Sequence, residues 1–297
     1  MCFMGIISLI FGEICVCDHK HLFAHQPGPI PRKLYTMKPV LSAPHPRRPR
    51  AFVSVWGTTH LHLRNPAVIA LWSAVFPGMG QMLLCKYMRG FILFIWEVAV
   101  NLMSHLNLAI FYTFTLRFDM AKAVLDTRWL LLYIPTYLFA IADSYRTAVD
   151  LNNQFLLAAR EDAPVGMFVI NALGLNYLDK SPPWSAVAWS VLSPGAGQLV
   201  NNRMIVAFFL LGWWIVVVML SNVMTAIHLT ALGLFAQAKE AVDVQWMLNI
   251  PSLFFFGIYD AYVNQVESNR LFEWEQAKFL KKNYQSASFK MPFAKRS

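Results

Sequence analysis

The sequence predicts an all-α integral membrane protein built from two similar repeats, each a short broken helix followed by two long transmembrane helices. Three observations predict this class. The 297-residue chain is 57% apolar and only 14% charged, whereas an average soluble domain carries about 25% charged residues. It contains apolar stretches of bilayer length, and the same order of stretches occurs twice. This composition disfavours a soluble enzyme, a disordered tail protein and a disulfide-stapled secreted domain.

Residues 1–64 form a basic N-terminal arm that we predict to be disordered. Met37 is an alternative start, so no part of the predicted fold is placed in residues 1–36. No basic segment precedes the apolar stretch at 5–11, which argues against a signal peptide. The run Cys15, Cys17, His19 and His21 has ligand types suited to zinc or copper. Its spacing departs from the CxxC pattern, so it is a weak metal candidate and an unstructured tail is favoured. We predict no cofactor.

The duplication is the most informative feature. The segment from Ser73 to Gln81 recurs from Ser190 to Gln198, an offset of 117 residues. Between residues 66–152 and 183–269 there are 27 identities over 87 positions without a gap. Apolar segments that resemble each other by chance would not match Pro, Gly, Gln, Asp and Trp in register. The chain is therefore a tandem duplication.

Each repeat contains three apolar stretches. The first is interrupted by Pro-Gly-x-Gly. The second has about 25 residues and is roughly 37 Å long as a helix, enough for a hydrocarbon core of about 30 Å. The third begins at a Trp and ends near an Asp. The stretches are 67–84, 88–113 and 129–147 in repeat 1, and 184–200, 204–229 and 246–263 in repeat 2.

These stretches divide the chain into five parts. The N-terminal arm (1–64) precedes repeat 1 (65–153), and a linker (154–182) leads to repeat 2 (183–270) and a basic cytoplasmic tail (271–297). Residues 168–178 in the linker are predicted to form a short interfacial helix. A helical pattern continues past the last span over 267–284.

The number of spans depends on whether the first stretch crosses the bilayer. Pro77-Gly78 and Pro194-Gly195 interrupt the helical hydrogen-bond ladder in an already short segment. Backbone groups left unpaired at that depth need protein or water as partners. We therefore favour four spans with both termini cytoplasmic, and six spans remain the alternative.

Polar residues inside the second stretch of repeat 1 form a candidate site. At 100° per residue they share one face of a helix, and ionisable groups at membrane depth are rare. Such a face could pass a proton or hold a cation, or it could hydrogen-bond neighbouring helices, and we favour the second interpretation. The residues are Glu97, Asn101, Ser104 and His105, which are Trp214, Val218, Ser221 and Asn222 in repeat 2.

A second set of residues recurs in both repeats and is predicted to be structural. Asp143 and Asp260 end the third stretch, where a carboxylate needs a donor or a cation. We predict that each packs against the glycine turn and basic turn (Lys86, Arg203) of its own repeat, with Arg146 as an extra partner of Asp143. The full set is Pro77, Gly78, Gly80, Gln81, Asp143, Pro194, Gly195, Gly197, Gln198 and Asp260.

The Pro-Gly-x-Gly-Gln turn, the long apolar helix and the aromatic helix ending in Asp resemble the two-transmembrane-helix (TM-two) domain and its bacterial relatives. The resemblance covers residues 66–152 and 183–269. Where the family has Phe-Tyr-x-Gly after the motif, this chain has residues 82–85 and 199–202 without that pattern. The resemblance implies small α-helical membrane modules and no enzymatic activity.

Charge and motifs narrow the functional classes. The net charge is +9, with the basic residues concentrated near the two ends, as expected where Lys and Arg stay cytoplasmic. No nucleic-acid-binding module accompanies this charge, and no catalytic motif is present. We therefore expect a non-enzymatic, multi-pass cell-membrane protein that acts as a scaffold or partner-binding module. Its partners are the lipid bilayer and either another membrane protein or a second copy; the alternative is a small transporter or channel.

Overall fold

The computed structural model describes residues 47–286. This part of the chain is mostly helical, and the same order of elements occurs twice, except that two helices of repeat 2 (α12 and α13) correspond to the one last helix of repeat 1. Repeat 1 contains β1 (Ala51–Ser54), β2 (Gly57–His60), α1 (Pro66–Val75), α2 (Met79–Leu83), α3 (Tyr87–Ser104), α4 (Leu106–Phe114), α5 (Phe118–Val124) and α6 (Thr127–Glu161). Repeat 2 contains β3 (Phe168–Asn171), β4 (Gly174–Tyr177), α7 (Pro183–Leu192), α8 (Ala196–Val200), α9 (Met204–Leu220), α10 (Val223–Ala231), α11 (Phe235–Ala241), α12 (Val244–Met247) and α13 (Asn249–Asn283).

Each repeat begins with a β-hairpin that the sequence analysis did not predict. β1 pairs antiparallel with β2, and β3 pairs with β4, in equivalent registers at the 117-residue offset. Gly57 and Gly174 start the returning strands with φ of 151° and 153°, a backbone conformation that favours glycine. The predictions of a disordered arm up to residue 64 and of a helix over 168–178 are therefore wrong for these segments. The duplication extends back to Ala51.

In each repeat, one asparagine of the long helix holds the segment that follows the hairpin, and the two asparagines are aligned. Asn152 accepts a hydrogen bond from the backbone N–H of Arg64 at 2.9 Å and donates to the carbonyl of the same residue at 2.8 Å. Asn269 makes the same two contacts with Ser181, at 3.1 and 2.7 Å. One side chain thus satisfies both backbone groups of a residue between a hairpin and a helix.

The first apolar stretch is broken, as predicted. Asn65 caps α1 by accepting from the N–H of Ala67, and Pro66 occupies the first helical turn, where its missing N–H is no loss. Gly78, the N-cap residue directly before α2, has φ of 100°. Gly195, directly before α8, has φ of 101°. Proline and a left-handed glycine together turn the chain between the two short helices.

The second apolar stretch is a bent helix pair and not the single long helix that the sequence predicted. Helices α3 and α4 meet at 65°, and α9 and α10 meet at 57°. His105 and Asn222 have φ of 53° at these bends, which ends the regular helix. The carbonyls of Ser104 and Ser221 there accept from the backbone N–H groups of Asp126 and Asp243, so the bend leaves them paired.

The third stretch extends well beyond its predicted boundaries. Helices α6 and α13 have 35 residues each, about 52 Å at 1.5 Å per residue, and they run through the predicted repeat ends at 153 and 270. Asp126 caps α6 and Asp243 caps α12 by accepting from backbone N–H groups. Among residues 47–286, no single helix combines the length and apolar content needed to cross a bilayer, whereas four bent pairs reach both when each pair is taken together.

The two repeats pack against each other around one hydrophobic core. Trp72 of α1 meets Phe256 of α13 with ring centroids 5.5 Å apart. Phe91 of α3 stacks on Phe209 of α9 with ring centroids 4.7 Å apart, and Phe94 of α3 contacts the same ring edge-on at 4.8 Å. The hairpins and the far ends of α6 and α13 gather at one end of the molecule, where Arg50 lies over Trp274.

Candidate functional site

The Pro-Gly-x-Gly-Gln turn contacts the terminal Asp in each repeat, as the sequence predicted. Gln81 donates from Nε2 to the Ala140 carbonyl at 2.9 Å and to Asp143 Oδ2 at 3.2 Å. Gln198 makes the matching contacts with Gly257 at 2.7 Å and Asp260 at 3.2 Å. The glutamine is buried in both copies. It fastens the second short helix of each repeat to its longest helix.

The glycines of the motif allow this approach. A Cβ on Gly80 would lie 2.6 Å from the Ile69 carbonyl and would also overlap the Ser73 hydroxyl. A Cβ on Gly197 would overlap the Ser190 hydroxyl and the Ala186 carbonyl. Close packing of α1 on α2, and of α7 on α8, therefore requires glycine at both positions.

The cation opposite the Asp differs between the repeats. Arg89, in the first turn of α3, pairs with Asp143 at 2.6 Å, and its side chain is half exposed. Lys86 and Arg146 are not the partners of this carboxylate, which corrects the sequence prediction. Arg203 pairs with Asp260 through both carboxylate oxygens at 2.5 Å, and both side chains are buried. Arg203 also donates to the Tyr87 hydroxyl at 3.2 Å, so this ion pair connects the repeats.

Three residues of the predicted polar face are buried in the repeat interface. Asn101 donates from Nδ2 to Glu97 Oε1 at 3.3 Å and to Asn107 Oδ1 at 3.1 Å. Ser104 donates to the Asn101 carbonyl. His105 does not join them, because it is the exposed residue with positive φ at which α3 ends.

Gln245 of repeat 2 completes this cluster, and sequence reasoning missed it. Its Nε2 donates to the carbonyl and to Oδ1 of Asn101, both at 2.9 Å, and its Oε1 accepts from the N–H of Leu108 at 2.8 Å. Asn107 in turn donates to the Gln245 carbonyl at 2.9 Å. A signal existed: Gln245 is a polar residue directly before the third apolar stretch, two positions after the capping Asp243. We name Glu97, Asn101, Asn107 and Gln245 the inter-repeat polar cluster.

One atom of the cluster is not satisfied. Glu97 Oε2 is buried and has no hydrogen bond of ordinary geometry among the described residues. The Tyr133 side chain of α6 interacts with the same carboxyl group. A carboxyl group in such surroundings can exchange a proton or attract a cation.

Two histidines of repeat 1 are buried, one at the end of β2 and one two residues after it. The rings of His60 and His62 have centroids 5.0 Å apart, and their nitrogens have no hydrogen-bond partner within the described range. Burial and the nearby cations Arg64 and Arg203 lower the pKa of His60 to about 3. Burial, then mainly Arg64, lowers the pKa of His62 well below its usual range. Both rings are therefore neutral near pH 7.

The structure places no metal site in the part that it describes. No group of three or more His, Cys, Asp or Glu side chains in residues 47–286 is arranged to hold a metal ion. The candidate ligands Cys15, Cys17, His19 and His21 lie outside those residues. Comparison with known families, with curated proteins and with solved structures finds no match for this chain.

Proposed function

We propose that the chain is a non-enzymatic integral membrane protein that acts as a scaffold or partner-binding module. It belongs in the cell membrane as a multi-pass protein with both termini in the cytoplasm. The resemblance of its glycine turn and terminal Asp to the TM-two modules supports this class, because those modules imply no enzymatic activity.

The distribution of apolar side chains supports a membrane location. Helices α3 and α9 form bent pairs with α4 and α10, and each pair taken together has the length and apolar content that a span needs. Their outward surfaces carry large aliphatic side chains, among them Ile92, Ile95, Ile215 and Met219. A contiguous surface of this kind is rare on soluble monomers and normal against lipid.

Element lengths and charges support four spans with cytoplasmic termini. Helices α1 and α7 have 10 residues each, about 15 Å, which is half of a 30 Å core. At the end where α6 and α13 finish, residues that flank the hairpins pair with the long helices, Arg48 with Glu161 and Lys180 with Glu273, and Lys278 of α13 pairs with Asp162 after α6. The sequence adds further basic residues there, among them Arg64 and Lys281, as expected on the cytoplasmic side.

The inter-repeat polar cluster is the observation that favours a scaffold over a transporter. Its amides bond to one another and to backbone groups across the interface, so they join the repeats and do not line an open path. A cavity beside Arg203 and Tyr87 measures about 40 Å³, room for water and far below the roughly 300–1,000 Å³ of a small-molecule site. A rigid joint between two repeats suits a protein that presents surfaces to partners.

A small transporter or channel is the second candidate. The observation that favours it is Glu97, a buried carboxyl group whose Oε2 has no hydrogen bond of ordinary geometry among the described residues, in a cluster to which both repeats contribute polar groups. The two candidates differ in what the carboxyl group does: it holds helices together in a scaffold and exchanges a proton or cation in a transporter.

Variants of Glu97 separate the candidates. In liposomes containing a pH-sensitive dye, we expect wild type and Glu97→Gln to give the same proton flux as protein-free liposomes. In detergent, Glu97→Gln should unfold like wild type because Gln keeps a hydrogen bond. Glu97→Leu should lower the free energy of unfolding by about 0.6–2 kcal/mol, the range for interhelical hydrogen bonds. Glu240→Gln, at an exposed position, is the control.

Flux through the wild type that Glu97→Gln abolishes, while Glu240→Gln retains it, would overturn the scaffold proposal and favour the transporter.

A further inference from the structure

The interface between the two repeats uses a different surface on each side. Repeat 1 contributes what we call face A, formed by Trp72, Phe91 and Phe94. Repeat 2 contributes face B, formed by Phe209 and Phe256. The contacts are Trp72 with Phe256 at 5.5 Å, Phe91 with Phe209 at 4.7 Å and Phe94 with Phe209 at 4.8 Å between ring centroids. An interface that joins two unlike surfaces is heterologous.

Because the repeats are duplicates, each also carries the face that it does not use. Repeat 2 has its own face A, in which Trp189 and Phe208 align with Trp72 and Phe91. Repeat 1 has its own face B, in which Ile92 and Phe139 align with Phe209 and Phe256. Trp72 is 1% exposed but Trp189 is 51% exposed, and Phe256 is 0% exposed but Phe139 is 54% exposed.

The unused faces keep the chemistry of the used ones. The buried pair Trp72–Phe256 corresponds to Trp189 and Phe139, which are the same two residue types. The pair Phe91–Phe209 corresponds to Phe208 and Ile92, which are 63% and 64% exposed. Faces A and B are therefore complementary by construction, and one copy of each is open on every chain.

We propose that a second copy of this chain docks its open face B, on repeat 1, against the open face A, on repeat 2, of the first copy. The contact between chains has the same form as the interface between the two repeats. The proposal rests on the proposed role as a partner-binding membrane protein, and the partner is a second copy of the chain. A heterologous contact of this kind leads to a closed ring or to a longer row of chains.

The contact between chains lacks the polar part of the internal one. The positions of Asn101, Asn107 and Gln245 correspond to Val218, Met224 and Arg128 in the other repeat, and Val218 is buried within its own chain. The amide hydrogen bonds are therefore specific to the internal interface. They distinguish the repeat partner within the chain from a neighbouring chain, as buried amides fix pairing in helical assemblies. The docking between chains depends on aromatic and aliphatic packing alone.

Cysteine crosslinking beside the proposed contact tests the docking directly. The native cysteines are replaced by Ser, Leu192→Cys and Ala142→Cys are placed in separate chains with different tags, and both are co-expressed in the native membrane. These positions lie one helical turn from Trp189 and Phe139, so the aromatic side chains of the proposed contact stay in place. A short bis-maleimide crosslinker, which adds to one thiol of each chain, should join the two differently tagged chains. Both positions are exposed in a single chain, so the substitutions leave the fold intact, and unfolding in detergent verifies this. The control pair is Phe118→Cys with Phe235→Cys, aligned residues that are exposed in both repeats.

Mixed crosslinking of Leu192→Cys with Ala142→Cys, well above that of the control pair, supports the proposal. Crosslinking of Leu192→Cys only to itself would indicate a two-fold contact and overturn it. Absence of crosslinks between the tagged chains would also overturn it and leave both faces to lipid. Each of these results is independent of the Glu97 flux measurement, so the failure of one proposal is distinguishable from the failure of the other.

Discussion

Asp143 and Asp260 show how two aligned residues come to differ. Each accepts from the glutamine of its own glycine turn at 3.2 Å. Asp260 in addition holds the buried guanidinium of Arg203, whereas Asp143 holds the half-exposed Arg89. A buried charge that loses its partner is far more destabilising than an exposed one. The environment, and not the residue type, decides how much each carboxylate matters.

At this scale we predict that Asp260→Ala is more destabilising than Asp143→Ala. The first leaves Arg203 charged and buried, which should lower the free energy of unfolding by about 3–5 kcal/mol. The second leaves Gln81 with an unfilled donor, which corresponds to about 1–3 kcal/mol. Denaturant unfolding in detergent measures both, and Asp150→Ala, at an exposed position of α6, is the control. Equal losses would show that the buried ion pair adds nothing to the glutamine contact.

At the scale of elements, the short helices depend on glycines that admit close packing. Gly80 lies against the Ile69 backbone and Ser73, and Gly197 lies against the equivalent part of α7. The carbonyls and hydroxyls there belong to packed helices, which cannot move aside without disturbing the Gln–Asp contact behind them.

We therefore expect Gly80→Ala and Gly197→Ala each to lower the free energy of unfolding by about 1–3 kcal/mol, as overpacking does in a filled core. Gly212→Ala in α9 is the matched control, because nothing lies within 4 Å of its added Cβ. That change should be neutral or stabilising by about 0.5–1 kcal/mol, since alanine is the better helix former. A neutral result at Gly80 would mean that α1 can shift on α2 without loss.

At the scale of the whole molecule, the two repeats face the same way. The hairpins of both lie at the end where α6 and α13 finish, and the α3–α4 and α9–α10 bends lead in both repeats to the next connections, α4–α5 and α10–α11. An even number of spans in each repeat is consistent with this arrangement, because an odd number would invert the second repeat.

We predict that Lys86→Cys and Ser286→Cys, on a background with the native cysteines replaced by Ser, react with an impermeant maleimide only after the cells are permeabilised. Leu116→Cys, between α4 and α5, should react in intact cells. All three positions are exposed. Labelling of Lys86→Cys in intact cells would contradict the four-span arrangement and require that α1 and α2 together cross the bilayer.

Several features followed from the sequence because local chemistry fixes them. Proline and glycine at 77–78 and 194–195 end one short helix and start the next. The caps that Asp126 and Asp243 provide were not predicted. The Gln–Asp contacts followed from the duplication, which retained the two residue types together. Gln245 and Asn107 were missed because each bonds to a residue more than 100 positions away in the chain, and the other repeat has no amide side chain at the matching positions to mark them.

The duplication, the helical class and the glycine turns were determined by the sequence, since they depend on residue identity and local backbone preference. The tertiary structure alone decided the hairpins, the bends at His105 and Asn222, the choice of Arg89 over Lys86 and the face on which each repeat meets the other. Trp72 and Trp189 make the reason plain: they are the same residue in aligned helices, yet one is buried and the other exposed. Helices that are apolar on every side contain no local signal for which face will be covered. That choice depends on contacts between residues far apart in the chain.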